Sequence, residues 1–181
     1  PNIAAVYFNG EPAEKFYRRL IGTNNFDIFY HRLPSTSPSN AVKFEEKLHY
    51  WKPILFTLKG LEYCDVESVE VFANSSFELK INIGALSGYY FVKDHENNIV
   101  ERKDLEFSER TLILLLHKLY ENRVFSWRSI YNSDAEIGSG TQWRVNIISR
   151  DTTYIFSGSN QHPKQWKSFC NAIQSLINLN N

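Results

Sequence analysis

Residues 154–166 combine the residue types that are common in phosphate-binding loops: a glycine, small polar residues, a histidine and a lysine, in the sequence YIFSGSNQHPKQW. A Walker-type loop needs several glycines and a Lys-Ser or Lys-Thr pair, but here Lys164 is followed by Gln165. The dinucleotide-binding fingerprint needs three glycines and is also missing. The segment is therefore interpreted as a turn between a strand and a helix.

The backbone requirements of such a turn account for its composition. Gly158 permits a positive φ, and Pro163 suits the first turn of a helix, where its missing N–H has no cost. Either Asn160 or His162 is expected at the N-cap of that helix, and neither fits fully. If Asn160 were the N-cap, His162 would be helical directly before Pro163, and a residue before proline disfavours the helical conformation. If His162 were the N-cap, the position would hold a residue type that is uncommon there.

No other motif indicates catalysis or metal binding. The histidines are scattered at positions 31, 49, 95, 117 and 162, and no two are three or four residues apart. The two cysteines, Cys64 and Cys170, lie far from each other and from a histidine at ligand spacing. The sequence therefore predicts no metal site and no cofactor.

One catalytic alternative rests on Pro1. The chain contains no Met and begins with this proline, as expected after removal of an initiator Met or after trimming of a longer chain. An α-amino group titrates near 8, and burial lowers its pKa further. The opening PNIAAVYF, followed by a predicted helix, resembles the tautomerase superfamily, whose N-terminal proline acts as a base or nucleophile. The resemblance covers the first strand and implies a small-molecule enzyme that uses Pro1.

An acidic stretch indicates a different kind of function. The segment LEYCDVESVEVF contains Glu62, Asp65, Glu67 and Glu70, and no basic residue lies between Lys59 and Lys80. An acidic edge could bind a basic surface of a partner protein, since charge complementarity selects partners and speeds association. Solubility and protection of a strand edge are the alternative explanation.

Aromatic residues are a second indication of binding. They make up 15% of the chain, with 13 Phe, 10 Tyr and 4 Trp, so not all of them are expected in the core. Exposed aromatic side chains mark protein interfaces. Tyr89, Trp127 and Tyr131 are therefore predicted to lie on a partner-binding surface, together with the acidic residues.

The charge balance argues against two other classes of partner. Twenty basic residues match twenty acidic ones, so the chain lacks the general attraction that supports nucleic-acid binding or attachment to an anionic membrane. No apolar run has transmembrane length, and no charged-then-apolar leader is present. A cytoplasmic protein is expected.

The predicted elements give the fold class. From Glu67 onward, apolar and polar residues alternate through several segments, as they do in half-buried strands. Asn97 and Asn98 predict a hairpin turn, and Ser108 predicts a helix N-cap. Residues 1–66 are less clearly patterned: they contain predicted strands at 2–8 and 26–30, a helix from Pro12 to Gly22, and a helix over 41–51 that Pro53 should end.

Two later helices carry clear apolar stripes. One contains Leu112, Leu115, Leu116 and Leu119, and the other, C-terminal one is apolar from Trp166 to Ile177 at the helical period. The sequence thus predicts a single α+β domain over 1–181. Its 67–181 part is an antiparallel, meander-like sheet of four or more strands, with amphipathic helices packed on one face.

The last third of the chain resembles uncharacterised bacterial single-domain proteins of immunity or inhibitor type. The resemblance rests on Trp127, Trp143, the run Ser157-Gly158-Ser159-Asn160, Pro163 and Trp166. The family pattern has Asp-Gly before the second tryptophan, whereas this chain has Gly138-Ser139-Gly140-Thr141. The resemblance implies a non-enzymatic module that occludes a partner protein. The alternative function is the small-molecule enzyme that uses Pro1.

Overall fold

The structure, a computed structural model, describes residues 3, 5–23, 28–132 and 141–179. The chain divides into two compact units, Pro1–Gly60 and Leu61–Asn181. The boundary falls six residues before the point at which the sequence pattern becomes regular. Pro1 lies outside the described residues, as do Gly138, Ser139 and Gly140.

Unit 1 contains a two-stranded parallel sheet and three helices. Its elements are β1 (Ala5–Asn9), α1 (Glu11–Leu20), β2 (Phe29–Leu33), α2 (Phe44–Trp51) and α3 (Pro53–Lys59). The predicted first strand and both predicted helices are present. Residues 26 and 27 of the predicted second strand lie outside the described residues, and β2 continues to Leu33, beyond the predicted end. Pro53 both ends α2 and opens α3, because proline suits a first helical turn.

Unit 2 is built on a seven-stranded sheet. Its strands are β3 (Val66–Ala73), β4 (Phe77–Asn82), β5 (Ser87–Lys93), β6 (Ile99–Glu106), β7 (Ile130–Asn132), β8 (Gln142–Ser149) and β9 (Thr153–Ser159). They lie in the order β6-β5-β4-β3-β8-β9-β7, and only the β7–β9 pair is parallel. Strands β3 to β6 form the predicted meander, and the β8–β9 hairpin extends the sheet on the other side of β3.

Two local signals are correct, the Asn97 turn and the Ser108 N-cap. Asn97 has a φ of 68° in the β5–β6 turn, the left-handed conformation that asparagine tolerates. The Ser108 hydroxyl accepts a hydrogen bond from the backbone N–H of Thr111 at 3.1 Å, so it caps the helix that follows. The predicted hairpin and the predicted N-cap are confirmed.

Two helices of unit 2, α4 (Glu109–Glu121) and α5 (Trp166–Asn178), cover one face of the sheet. Leu112, Leu116 and Leu119 of α4 are fully or almost fully buried, as are Leu79, Ile81, Val145 and Ile147 of the sheet. The predicted α+β architecture, with helices on one face, is confirmed. Burial of these aliphatic side chains stabilises unit 2 by about 1.5–3 kcal/mol each.

An aromatic cluster joins α5 to strands β8 and β9. The ring centroids of Trp143 and Trp166 are 4.3 Å apart, and Trp127 lies 5.3 Å from Phe169 and 5.7 Å from Phe156. The Trp143 indole N–H donates a hydrogen bond of 2.9 Å to the carbonyl of Gln161. The tryptophans of the C-terminal motif therefore meet in one core.

Gly158 is needed for the packing of this cluster and not for a turn. It lies within β9 and does not have a positive φ; Asn160 does, at 58°. A Cβ at position 158 would lie 2.6 Å from Nε1 of Trp143 and 2.7 Å from the carbonyl oxygen of Gln161. Glycine is required there because the indole packs directly on the backbone.

The start of α5 differs from the prediction. The helix begins at Trp166, with Gln165 at the N-cap and no side-chain capping bond. The Trp166 N–H donates to the carbonyl of Pro163, so Pro163 belongs to a turn before the helix. The Asn160 side chain accepts a hydrogen bond from the Thr141 backbone instead. The His162 ring lies 5.0 Å from the ring of Trp166, and neither Asn160 nor His162 caps the helix.

We expect Gly158→Ala to lower the free energy of unfolding by about 1–3 kcal/mol, because the new methyl group overlaps the Trp143 indole. Chemical denaturation followed by tryptophan fluorescence measures this loss. Gly84→Ala is the matched control, since a Cβ there would meet no atom within 4 Å. Its effect should stay within about 0.5 kcal/mol. Equal effects of the two substitutions would contradict this account of the cluster.

Candidate functional site

The sheet face of unit 2 opposite α4 and α5 carries most of the side chains that are suited to binding. We call it the open face. It comprises Glu70, Phe72, Glu78, Lys80, Tyr89, Phe91, Arg102, Asp104, Arg144, Asn146 and Ile155. Arg102, Asp104, Arg144 and Ile155 are exposed, and the others are half-buried.

Strand register arranges these residues in two rows. In the first row, Arg144 of β8 is opposite Phe72 of β3, which is opposite Glu78, followed by Phe91 and Arg102. Neighbouring strands lie about 4.8 Å apart, so this row spans about 20 Å. Two aromatic rings are thus flanked by arginines, with one carboxylate between them.

The second row runs parallel to the first, one pleat along the strands. It contains, in order across the sheet, Ile155, Asn146, Glu70, Lys80, Tyr89 and Asp104. The rings of Tyr89 and Phe91 are stacked, with their centroids 6.0 Å apart and their planes 6° from parallel. The two rows therefore share an aromatic centre on β5.

Cations lie over these rings. The Arg144 guanidinium is 6.0 Å from the Phe72 centroid, and that of Arg102 is 5.9 Å from Tyr89. The Lys93 ammonium is 5.1 Å from the Phe91 centroid. Such contacts contribute about 0.5–1 kcal/mol at exposed sites. Arg102 also forms an ion pair with Asp104 at 3.6 Å.

Glu70 is the most strongly engaged carboxylate of the open face. It accepts hydrogen bonds from Lys80 at 3.0 Å and from Asn146 at 3.0 Å. Partial burial opposes its ionisation, but the hydrogen bonds from Asn146 and Lys80 outweigh burial and lower the pKa of Glu70. The bond to Glu70 raises the pKa of Lys80 in turn. The pair is ionised at neutral pH.

The four acidic residues predicted to bind a partner do not form one acidic edge. Glu70 lies on the open face and is neutralised by Lys80. Glu62 and Glu67 are exposed and Asp65 is half-buried, all at the start of β3. Arg150 also reaches this region. Its guanidinium donates a hydrogen bond to the backbone carbonyl of Glu62, and its backbone N–H donates one to the backbone carbonyl of Asp65. Arg150 is distant in sequence from Glu62 and Asp65, so the sequence did not reveal this contact.

Two predicted surface aromatics belong to the core instead. Trp127 is only 8% exposed and Tyr131 only 7% exposed. The Trp127 indole donates to the carbonyl of Asn122, and Tyr131 lies 5.8 Å from Trp143. The prediction that they line a partner-binding surface is wrong, because they fill the space between the sheet and α5. Tyr89 is half-buried and lies on the open face.

Sequence reasoning missed Phe72, Phe91, Arg102 and Arg144 as site residues. Each occupies a position that alternation assigns to the polar face of its strand. Phe72 and Phe91, two aromatic residues on the polar faces of their strands, were the signal in the sequence that could have indicated a binding surface. Only the strand order shows that they lie in one row across the sheet.

The other candidate sites are a metal centre and Pro1. Within residues 5–23, 28–132 and 141–179, no three His, Cys, Asp or Glu residues are grouped so that they could hold a metal ion. The alternative catalytic residue, Pro1, lies outside the described residues. None of the helices that the structure describes has the length and apolar character needed to cross a bilayer.

Comparison with known proteins assigns no family to the chain. No family model matches the sequence, and no curated protein matches it. The function must therefore be inferred from the geometry of the site.

We expect Glu70→Gln to lower the free energy of unfolding at pH 7 by about 1 kcal/mol, since the ion pair with Lys80 is only partly shielded from water. The folded state lowers the pKa of Glu70, so the stabilisation is present above the ordinary carboxyl pKa. It should disappear progressively as the pH falls below about 4.5.

Denaturant titrations of both proteins between pH 3 and pH 7 test this expectation. Glu67→Gln, an exposed carboxylate of the same strand, is the matched control and should leave stability nearly unchanged. A Glu70→Gln effect that is constant over this range would mean that the ion pair is not its source.

Proposed function

We propose that the chain is a non-enzymatic protein-binding module whose open face contacts a partner protein. The specific form of the proposal is an immunity or inhibitor protein that occludes its partner. The observation that supports it most directly is the first row of the open face, about 20 Å long, in which Arg144, Phe72, Glu78, Phe91 and Arg102 follow one another across the sheet.

The residue types of this face match those of protein interfaces. Aromatic residues and arginine are enriched in interface cores and among the residues that dominate binding energy. Tyr89 and Phe91 are already stacked on each other, and Arg102 is already placed over Tyr89. A partner would therefore meet side chains that lose little conformational freedom on binding.

The charges of the open face favour a protein over a nucleic acid. Glu70, Glu78 and Asp104 alternate with Lys80, Arg102 and Arg144, so neither sign dominates. A single-stranded nucleic acid needs a positively charged path for its phosphates in addition to aromatic rings. A protein surface can present both signs in a complementary pattern.

The acidic residues at the start of β3 extend the proposal. Glu62 and Glu67 are exposed close to the strand that carries Glu70 and Phe72. A basic patch on the partner would increase the association rate through them, with only a small effect on the dissociation rate. This acidic contribution is separable from that of the open face.

The open-face proposal predicts that Phe91→Ala and Arg102→Ala each weaken partner binding at least tenfold, since central interface residues contribute about 1–2 kcal/mol or more. The partner is identified by in-cell cross-linking and mass spectrometry with the full chain, and its affinity is then measured by calorimetry. Ile99→Ala is the control: Ile99 is an exposed apolar residue of β6 outside the two rows.

Three results would contradict parts of the proposal. Unchanged affinity in both open-face variants would exclude this face as the binding surface. Reversal of Glu62, Asp65 and Glu67 to lysine without change in association rate or salt dependence would exclude the acidic contribution. Salt-dependent micromolar binding of a labelled single-stranded oligonucleotide would favour nucleic acid as the partner.

A further inference from the structure

Helices α2 and α3 form an almost continuous helical segment from residue 44 to residue 59. Lys52, between them, has helical backbone angles, with φ −52° and ψ −35°. Its N–H donates to the carbonyl of His49, and its carbonyl accepts from the N–H of Leu55. The side chains of α3 therefore continue the angular spacing of those on α2, on the other side of Pro53.

This segment is apolar on two opposite faces. The inner face consists of Tyr50, Pro53 and Phe56, which are all buried. On the outer face, Phe44 is 72% exposed, Leu48 55%, Leu55 46% and Leu58 76%. A surface helix normally has one apolar stripe, which faces its own core. The outer stripe is exposed, so among the described residues it does not face the core of its own unit.

The outer residues have the spacing of a helix–helix seam. Phe44, Leu48, Trp51, Leu55 and Leu58 follow one another at intervals of four, three, four and three residues. We call these five residues the outer seam. At 100° per residue they lie within an arc of about 80°, and this alternation of three and four is the pattern by which two helices pack along each other.

The outer seam is symmetric about its central residue. Phe44 and Leu58 are each seven residues from Trp51, and Leu48 and Leu55 are three and four residues from it. Trp51 is half-buried, and its indole N–H is bound to the carbonyl of Pro34 at 3.1 Å. The centre of the seam is therefore fixed in place. A symmetric stripe is self-complementary, as a two-fold interface requires.

We propose that the outer seam pairs two copies of this chain, with the α2–α3 segments antiparallel about a two-fold axis near Trp51. In that arrangement Phe44 of one copy lies opposite Leu58 of the other, and Leu48 lies opposite Leu55. Every seam residue then meets an apolar partner. The pairing is separate from the open face and does not depend on the proposed function.

Charge complementarity supports a second copy as the occupant. Glu45, Lys52 and Lys59 lie along the same flank of the seam, at seven-residue intervals, and Glu45 and Lys59 are exposed. An antiparallel two-fold pair brings this flank of each helix against the same flank of the other. Glu45 then faces Lys59 of the second copy, twice in the dimer. Lys52 faces Lys52, a like-charge contact that weakens the pair.

The extent of the seam sets the expected strength. Two packed helical segments of this length bury on the order of 1,000 Å² in total, the lower limit of a specific interface. We expect a dimer with a Kd on the order of 10–100 μM, because an interface of this size retains little free energy after the loss of translational and rotational freedom.

Sedimentation equilibrium of the full chain between about 5 and 500 μM tests the proposal. We expect a monomer–dimer equilibrium that the double substitution Leu48→Glu, Leu58→Glu weakens at least thirtyfold. Both leucines are exposed, so the fold should be kept, and circular dichroism checks it. Leu114→Glu, at an exposed leucine of α4, is the matched control and should leave the equilibrium unchanged.

A charge exchange distinguishes the proposed antiparallel register from other uses of the seam. Glu45→Lys and Lys59→Glu should each weaken the dimer about fivefold to tenfold, and the double variant should return to within about twofold of the original Kd. Failure of the double variant to recover would overturn the antiparallel register.

Two further results would overturn self-pairing. The chain could remain monomeric up to 500 μM, or it could form a dimer that the Leu48→Glu, Leu58→Glu substitution does not affect. Measured binding of the monomer to an amphipathic peptide helix with acidic flanks, lost in the same double variant, would then assign the outer seam to a different protein.

Discussion

The packing of the Trp143 indole on the backbone of Gly158 is the constraint on which the organisation of unit 2 depends. The indole can lie there only because residue 158 has no side chain, and its N–H then reaches the carbonyl of Gln161. This contact fixes the chain between β9 and α5, so that Trp166 and Phe169 meet Trp127. The helix that covers the sheet is thereby positioned from the end of the last strand.

Covering one face of the sheet determines the character of the other. Alternation along each strand sends Val145 and Ile147 toward the helices and Arg144 and Asn146 away from them. The open face is therefore polar by default, and the aromatic rings on it do not serve the core of α4 and α5. These half-buried rings are instead contacted by arginine and lysine side chains.

In unit 1, the α2–α3 segment likewise has one face that packs inward and one face that is exposed. Phe56 and Tyr50 pack inward, whereas Leu48 and Leu58 on the opposite side remain exposed. Apolar side chains are tolerated singly on a surface, but a stripe of them indicates contact with another helix. The two proposed binding surfaces differ in kind: one is a rigid aromatic and charged sheet face, and the other is an apolar helical stripe.

The sequence by itself determined most of the elements of this protein and several of their ends. Periods of two and 3.6, the Asn97 turn and the Ser108 cap are local properties, so each is legible within a few residues. Tertiary structure alone decided that β8 lies beside β3 and β7 beside β9, that Trp127 and Tyr131 are buried, and that the Arg150 side chain reaches the carbonyl of Glu62. It also decided that Gly158 is required for packing rather than for a positive φ. These features depend on contacts between residues far apart in the chain, and the spacing of residues along a strand carries no information about what lies across it.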